Sequence, residues 1–500
     1  MTGTSLDNAM RTSHPHGRQP PLPAAVRRER SGKKRRCLAG RQQLLRGVIA
    51  AGSLLLWGCS EPPVPVAPRP ARDVILIVID TLRADHLGCY GYDRETSPNI
   101  DGLAARGVRF ENAVAQSSWT APSMVSLLQS KHLAADFVRM PPGSTLAERL
   151  AEVGYRCVGF QDNILLAPGT GFDRGFELYE VEAGPAKIIP ALQRDDPRPL
   201  FAYFHFVDPH DPYEPLPQFD VFEPRPVSPE RRQLLTAALQ EQDTPLPADE
   251  IGRRVDAAAQ YMAEKRALYD GDVRQTDARV EFILSALERT GRLDDAYIIL
   301  AADHGECLWD QPEAPSRLDH DSRSNLLRLF KMSHNTVLYG TLTRTPLLMS
   351  GPDIPEGTVV DGPVENVDIV PTVLELLGLS GGEACDGRSL VDTLQATSQG
   401  GPPTPGRLTW SNTSLFTAAT SVDGFKLIRP WDPAGADPPQ LFDLTVDPGE
   451  QTPLPLQGDR WRALHEAIDE YRRSALMPAA GEDLLDDTVA ERMRQLGYLK

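Results

Sequence analysis

The sequence predicts an α/β protein, a doubly wound and mainly parallel sheet flanked by helices, followed by a smaller α+β subdomain. Three observations carry this. Continuous apolar runs recur along the chain, the pattern of strands buried on both faces. Helical patterns lie between those runs, as strands and helices do in a doubly wound sheet. After a stretch rich in Gly, Pro and Thr at 400–405, short strand-like pieces and one helix close the chain.

The N-terminus is set apart by charge. Residues 1–72 carry 13 Lys/Arg against three Asp/Glu, a balance of +10, so the chain's net −17 leaves −27 on residues 73–500. Such an acidic body excludes a nucleic-acid partner, which needs a basic stripe. Residues 1–46 read as a basic leader, and an apolar run follows from Gly47 to Gly58, ending at Cys59. A positive region before about a dozen apolar residues is an export signal, too short to span a bilayer comfortably. Leu56-Trp57-Gly58-Cys59 resembles a bacterial lipobox, with Cys59 as the lipidated residue, and the Pro-rich residues 60–72 form a tether. An uncleaved anchor is the alternative. The expected location is the cell envelope, outside the cytoplasmic membrane. Cys37, Cys89, Cys157, Cys307 and Cys385 show no CxxC spacing, so a thiolate zinc site is not expected.

In the body, 73–398 reads as the main domain and 406–500 as the subdomain. Strands are expected at 73–80, 200–207, 297–301 and 346–349, and helices at 146–153, 257–287 and 368–377, with Pro371 tolerated in the last one's first turn. The segments 223–249 and 311–331 read as surface excursions. In the subdomain, strand-like pieces lie at 408–410, 425–428 and 441–444, before a helix at 461–474.

Sites in such folds sit at the carboxyl ends of strands. Asp80 ends the opening strand, Asp303-His304-Gly305-Glu306 follows the strand at 297–301, and Thr120 precedes an apolar helical run. Carboxylates and imidazole from separate strand ends can share one divalent cation, which activates a coordinated hydroxyl. Each signal has a plain structural alternative, a turn residue for each Asp and a helix N-cap for Thr120.

Order and context are more specific. Ile79-Asp80-Thr81-Leu82-Arg83-Ala84-Asp85-His86, Thr96-Ser97-Pro98-Asn99-Ile100-Asp101 and Gly107-Val108-Arg109-Phe110-Glu111-Asn112 come first. Asp208-Pro209-His210-Asp211-Pro212-Tyr213, Ala302-Asp303-His304-Gly305-Glu306, His334 to Tyr339 and Asp368-Ile369-Val370-Pro371-Thr372 follow, and Leu441 to Glu450 comes last. In that order they resemble the sulfatase family of the alkaline phosphatase superfamily over residues 73–500. The resemblance implies an alkaline phosphatase-like mixed sheet sandwiched by helices. It implies Asp80, Thr120, Asp303 and His304 around one divalent cation (Ca, Mn or Mg, with Zn possible), Thr120 as nucleophile, and His210 and His334 at the substrate. It also implies a sulfated or phosphorylated substrate from the envelope or the environment.

The chain departs from the family at the signature Cys or Ser, any residue, Pro, Ser, Arg, whose first residue is oxidised to formylglycine. Here it reads Thr120-Ala121-Pro122-Ser123-Met124. Oxidised threonine would be a ketone, so the hydrated aldehyde that attacks sulfate is unavailable. Residues 159–163 lack the Lys and His pair of arylsulfatases, and Thr81 stands where many sulfatases have a second Asp. A Thr with Asp, Asp and His resembles lipoteichoic acid synthase and phosphoethanolamine transferases, and nucleotide pyrophosphatases also use a Thr. The expected activity is therefore metal-dependent hydrolysis or transfer of sulfate or phosphate esters. A phosphoglycerol- or phosphoethanolamine-type transferase and a degenerate envelope glycan- or anion-binding protein are the alternatives.

Overall fold

The computed structural model describes residues 72–193, 195–240, 246–312, 330–334, 337–379, 384–399, 406–433 and 437–477. The expected leader, the lipobox with Cys59, Cys37, the tether up to 71, the linker at 400–405 and most of 311–331 lie outside these residues. No described helix is long and apolar enough to cross a membrane.

Strands β1 (Asp73–Ile79), β2 (Gly107–Val114), β3 (Arg156–Gln161), β4 (Leu178–Val181), β5 (Leu200–Phe206), β6 (Ala296–Ala302), β9 (Arg344–Ser350) and β10 (Thr358–Glu365) form one sheet; β7 (Cys307–Pro312) and β8 (Phe330–Ser333) pair as a separate ribbon. The sheet order is β10-β2-β9-β6-β1-β5-β3-β4. Strand β9 runs antiparallel to β2 and β6, and every other pair is parallel. The sheet is mixed, as expected.

The opening apolar run explains the layers. Along β1, Val74, Leu76 and Val78 pack into one core with helix α2 (Thr120–Gln129), while Ile75, Ile77 and Ile79 pack into a second with helix α6 (Ala248–Arg289). All six are fully buried. At roughly 1.5–3 kcal/mol per large aliphatic side chain, β1 anchors both layers. Helix α6 extends the run expected at 257–287 at both ends. The excursion at 223–249 carries a helix of its own, α5 (Pro229–Gln240), which docks Leu235 and Leu239 into the second core. Its charged composition hid a helix that buries Leu235 and Leu239.

The C-terminal part is a four-stranded antiparallel sheet, β11 (Thr409–Asn412), β12 (Phe416–Thr420), β13 (Phe425–Pro430) and β14 (Gln440–Asp443), with the last helix at Gly458–Ser474. Phe416, Ala418, Ile428 and Phe442 pack on Leu338 and Leu342 of the large domain, while Ala419, Leu427 and Leu441 receive Leu464 and Ile468 of that helix. The alternation along the strands thus glues the small sheet to the large domain on one face and to its own helix on the other.

Candidate active site

Strand periodicity lines up a row of polar side chains. On the face of the sheet that carries α2, β1 presents Val74, Leu76 and Val78, and Asp80 is next in that alternation. The same count on β6 runs Tyr297, Ile299, Ala301 to Asp303, and on β5 Phe201, Tyr203 to His205. On β3 it leads from Cys157 to Gln161. Because β6, β1, β5 and β3 are neighbours, Asp303, Asp80, His205 and Gln161 form a buried row at their carboxyl ends.

Thr120 faces this row. It is the first residue of α2; the N-cap is Trp119, and no side chain caps the helix. The cap role open to Thr120 from sequence is therefore not what its hydroxyl does. Its Oγ1 lies 3.3 Å from Asp80 Oδ2 and 3.5 Å from His304 Nε2. Asn163, just past β3, completes the cradle: its Nδ2 donates to Asp80 Oδ2 at 2.6 Å and lies 3.4 Å from Thr120 Oγ1. The amide cannot be reversed, because Asn163 Oδ1 accepts the Leu165 N–H at 2.9 Å.

The backbone after β1 is strained to make room. Thr81 has φ +55°, costly for a β-branched residue, and its N–H donates to Asp303 Oδ1 at 3.3 Å. The buried Tyr269 hydroxyl pins the turn, donating to Thr81 O at 2.8 Å and accepting from Arg83 N at 3.0 Å. Gly305 is needed for contact: a Cβ there would sit 2.1 Å from Thr341 O.

The imidazoles are sorted by their partners. His304 Nδ1 lies 2.8 Å from Gly305 O, a carbonyl that can only accept, so Nδ1 carries the proton. Burial holds the His304 pKa below its ordinary value, which favours the neutral ring and leaves the Nε2 lone pair facing Thr120 Oγ1. His210 Nδ1 likewise donates to Asp211 O at 2.6 Å. Burial opposes its charge, but the carboxylates of Asp80 and Glu306 outweigh burial and raise its pKa. The His334 ring lies 4.7 Å from that of His304 and 4.9 Å from that of His210; burial and then His210 hold it well below the ordinary range. Glu306, 3.4 Å from His334 Nδ1, is pushed up to about 7 by burial, against the pull of His210 and His304.

The carboxylate pair is divided. Burial, then Asp303, raises the Asp80 pKa. Burial pushes Asp303 up as well, but His304 and His205 outweigh it and hold its carboxyl low. Among the described residues Asp80 Oδ1, Asp303 Oδ2 and both ring nitrogens of His205 are buried without a hydrogen-bond partner, an expensive arrangement unless something binds there. Ligand atoms of Asp80, His205 and Asp303 all lie within 4.8 Å of one another. His304 Nε2 adds a donor 3.4 Å from Asp80 Oδ1 and 3.6 Å from Asp303 Oδ2. This donor set fits a divalent cation.

The structure thus gathers all six residues expected from sequence: Asp80, Thr120, Asp303, His304, His210 and His334. His205, Asn163, Gln161 and Glu306 join them without having been assigned roles. Only strand parity, counted from Phe201 and Tyr203, marks His205 in the sequence.

A hydroxyl at a helix N-terminus facing buried carboxylates and imidazoles, at the carboxyl edge of a mixed sheet, is the equipment of an ester hydrolase. The sulfatase family model matches residues 72–379, and the chain belongs to that family. It is 24% identical to a choline-sulfatase of Rhizobium meliloti over 76% of this chain and 82% of that protein. It is 23% identical to an arylsulfatase of Clostridium perfringens over 82% and 95%. Among solved structures, a protein bound to its substrate D-glucosamine-2-N,6-O-disulfate superposes with TM-score 0.63 at 18% identity, covering 81% of this chain and 99% of that one. A phosphonate monoester hydrolase of Agrobacterium radiobacter superposes with TM-score 0.60 at 20% identity, covering 81% and 96%.

Proposed function

We propose that this protein is a metal-dependent hydrolase of sulfate or phosphate esters in which the Thr120 hydroxyl is the nucleophile. The observation that carries this reading is the placement of Thr120 Oγ1, which caps nothing in its helix and lies 3.3 Å from Asp80 Oδ2. Asp80, Thr120, Asp303 and His304 would hold the cation. When bound, it polarises the ester and favours the ionised hydroxyl.

The chain's own residues supply the rest. The positive end of the α2 dipole favours negative charge on Thr120 Oγ1. Asn163 holds Asp80 in place, and Asp80 Oδ2 accepts the hydroxyl proton. Oγ1 bonds to phosphorus or sulfur, and the bond to the leaving oxygen breaks. His210, whose pKa the carboxylates of Asp80 and Glu306 raise against burial, gives that oxygen a proton. Water then attacks the same phosphorus or sulfur, releasing the anion and restoring the hydroxyl. With an alcohol in place of water the outcome is transfer, as in phosphoglycerol- or phosphoethanolamine-type transferases.

The sulfatase relatives favour sulfate esters, while the threonine and the phosphonate hydrolase neighbour favour phosphorus. Substrates would be sulfated or phosphorylated envelope or environmental molecules. Residues 27–72 support export and lipid anchoring at Cys59. A panel of sulfate esters and of phosphate mono- and diesters, each with Mn²⁺, Ca²⁺, Mg²⁺ and Zn²⁺, tests the reading, with mass spectrometry to trap phospho-Thr120. Absence of turnover under every condition would leave an anion-binding protein.

A further inference from the structure

His205 differs from the other imidazoles around the site. It lies on β5 opposite Val78 of β1 and is wholly buried. His304 and His210 each commit Nδ1 to a carbonyl, whereas neither ring nitrogen of His205 has a hydrogen-bond partner among the described residues. Its neighbours do not serve it: the Tyr203 hydroxyl and both polar atoms of the Gln161 side chain are also buried without partners. Yet His205 Nε2 lies 3.7 Å from Asp303 Oδ2, the same partnerless oxygen that stands 3.6 Å from His304 Nε2. Two imidazoles thus flank one carboxylate oxygen.

Oxygen donors are scarce by comparison. Asp303 Oδ1 is occupied by the N–H groups of Thr81 and His304, at 3.3 and 2.7 Å. Asp80 Oδ2 is occupied by Asn163 Nδ2. Each carboxylate therefore has a single oxygen left, and position 81 is a threonine. The hydroxyls of Thr120 and Thr81 and the amide oxygen of Gln161 are neutral and do not make up the missing charge. Calcium takes six to eight oxygens, with carboxylates prominent among them, whereas imidazole nitrogens suit zinc and its transition-metal neighbours.

We propose that His205 is a metal ligand, and that the nitrogen-rich set of Asp80, Asp303, His205 and His304 selects a transition-metal dication, zinc above all, over calcium. This rests on the metal-dependent reading above and names the kind of ion it uses. The test is metal binding by the full chain, stripped with a chelator and dialysed against equimolar Zn²⁺ and Ca²⁺. One zinc per chain is expected, with a preference over calcium of about 100-fold or more. His205→Asn is expected to weaken zinc at least about tenfold, the minimum for loss of a group around a metal, and to leave calcium affinity unchanged. If His205→Asn does not fold, X-ray absorption at zinc in the wild-type protein counts the imidazoles: two support the inference, and one or none overturns it. Calcium preferred or bound equally, or zinc affinity unchanged in a folded His205→Asn, also overturns it. A chain that binds calcium and still cleaves esters sinks this inference alone; one that binds no dication sinks the proposed function too.

Discussion

Replacing Thr120 by alanine separates chemistry from stability. The hydroxyl makes three long contacts, at 3.3, 3.4 and 3.5 Å, and caps nothing, since Trp119 holds the N-cap position. Losing weak hydrogen bonds of this kind costs about 0.5–1.5 kcal/mol, and alanine returns roughly 0.5 kcal/mol of helix propensity. The melting temperature of Thr120→Ala should therefore stay close to that of the parent. Turnover should not. Removing a nucleophile costs several orders of magnitude in kcat, and a loss of about 10³-fold corresponds to roughly 4 kcal/mol of barrier. Thr120→Ser, which keeps the hydroxyl, should retain measurable activity. The assay is hydrolysis of whichever sulfate or phosphate ester the parent cleaves, with thermal unfolding run in parallel. Full activity in a folded Thr120→Ala would refute covalent catalysis by this residue.

Three further outcomes follow from the same geometry. Asn163→Ala removes the donor at 2.6 Å from Asp80 and should lower kcat about 10- to 100-fold with little change in KM, as measured by steady-state kinetics. Asp272, pushed up to about 8 by burial and then by Asp208, binds a proton in the folded state that the unfolded chain releases near 3.8. The stability that protonated Asp272 contributes is therefore lost as pH rises from about 4 to about 8, and Asp272→Asn should raise the melting temperature more at pH 8.5 than at pH 5. An equal shift at both would contradict this. Cys59→Ser should release the protein from membranes or block its processing, read by fractionation; unchanged retention would favour an uncleaved anchor.

Much of the site was legible because motifs report strand ends. Asp80 and Asp303 follow apolar runs whose burial on both faces is written in their composition, and the structure places both at the carboxyl edge. The mixed sheet and the small C-terminal sheet were likewise readable from the order of runs. His205 was not, because it sits inside the run Leu200-Phe201-Ala202-Tyr203-Phe204-His205-Phe206, where a histidine looks like one more buried ring. What distinguishes it is the pairing β6-β1-β5, a non-local fact that puts the same parity of three strands side by side. Asn163 was hidden for a related reason. Residues 159–163 hold no Lys and His pair, and the role of a neutral amide becomes visible only with Asp80 beside it. Helix α5 escaped because its composition is that of a charged surface.

The departure at position 124 bears on whether the altered signature is decay or replacement. Met124 lies one helical turn beyond Thr120 and is fully buried in the core with Ala121, Val125 and Leu128. A guanidinium there would lie in an apolar layer and would need partners it could not easily find. Met124 fills that layer, and Thr120 is contacted from the other side by Asp80, Asn163 and His304. A site drifting toward loss of function has no need of a directional amide aimed at Thr120 and Asp80, fixed in orientation by the Leu165 N–H. Nor does it have reason to keep four buried donor atoms on Asp80, Asp303 and His205 without partners, each of which makes folding harder. A bound cation would offset part of that cost, which supports the proposed site around Thr120.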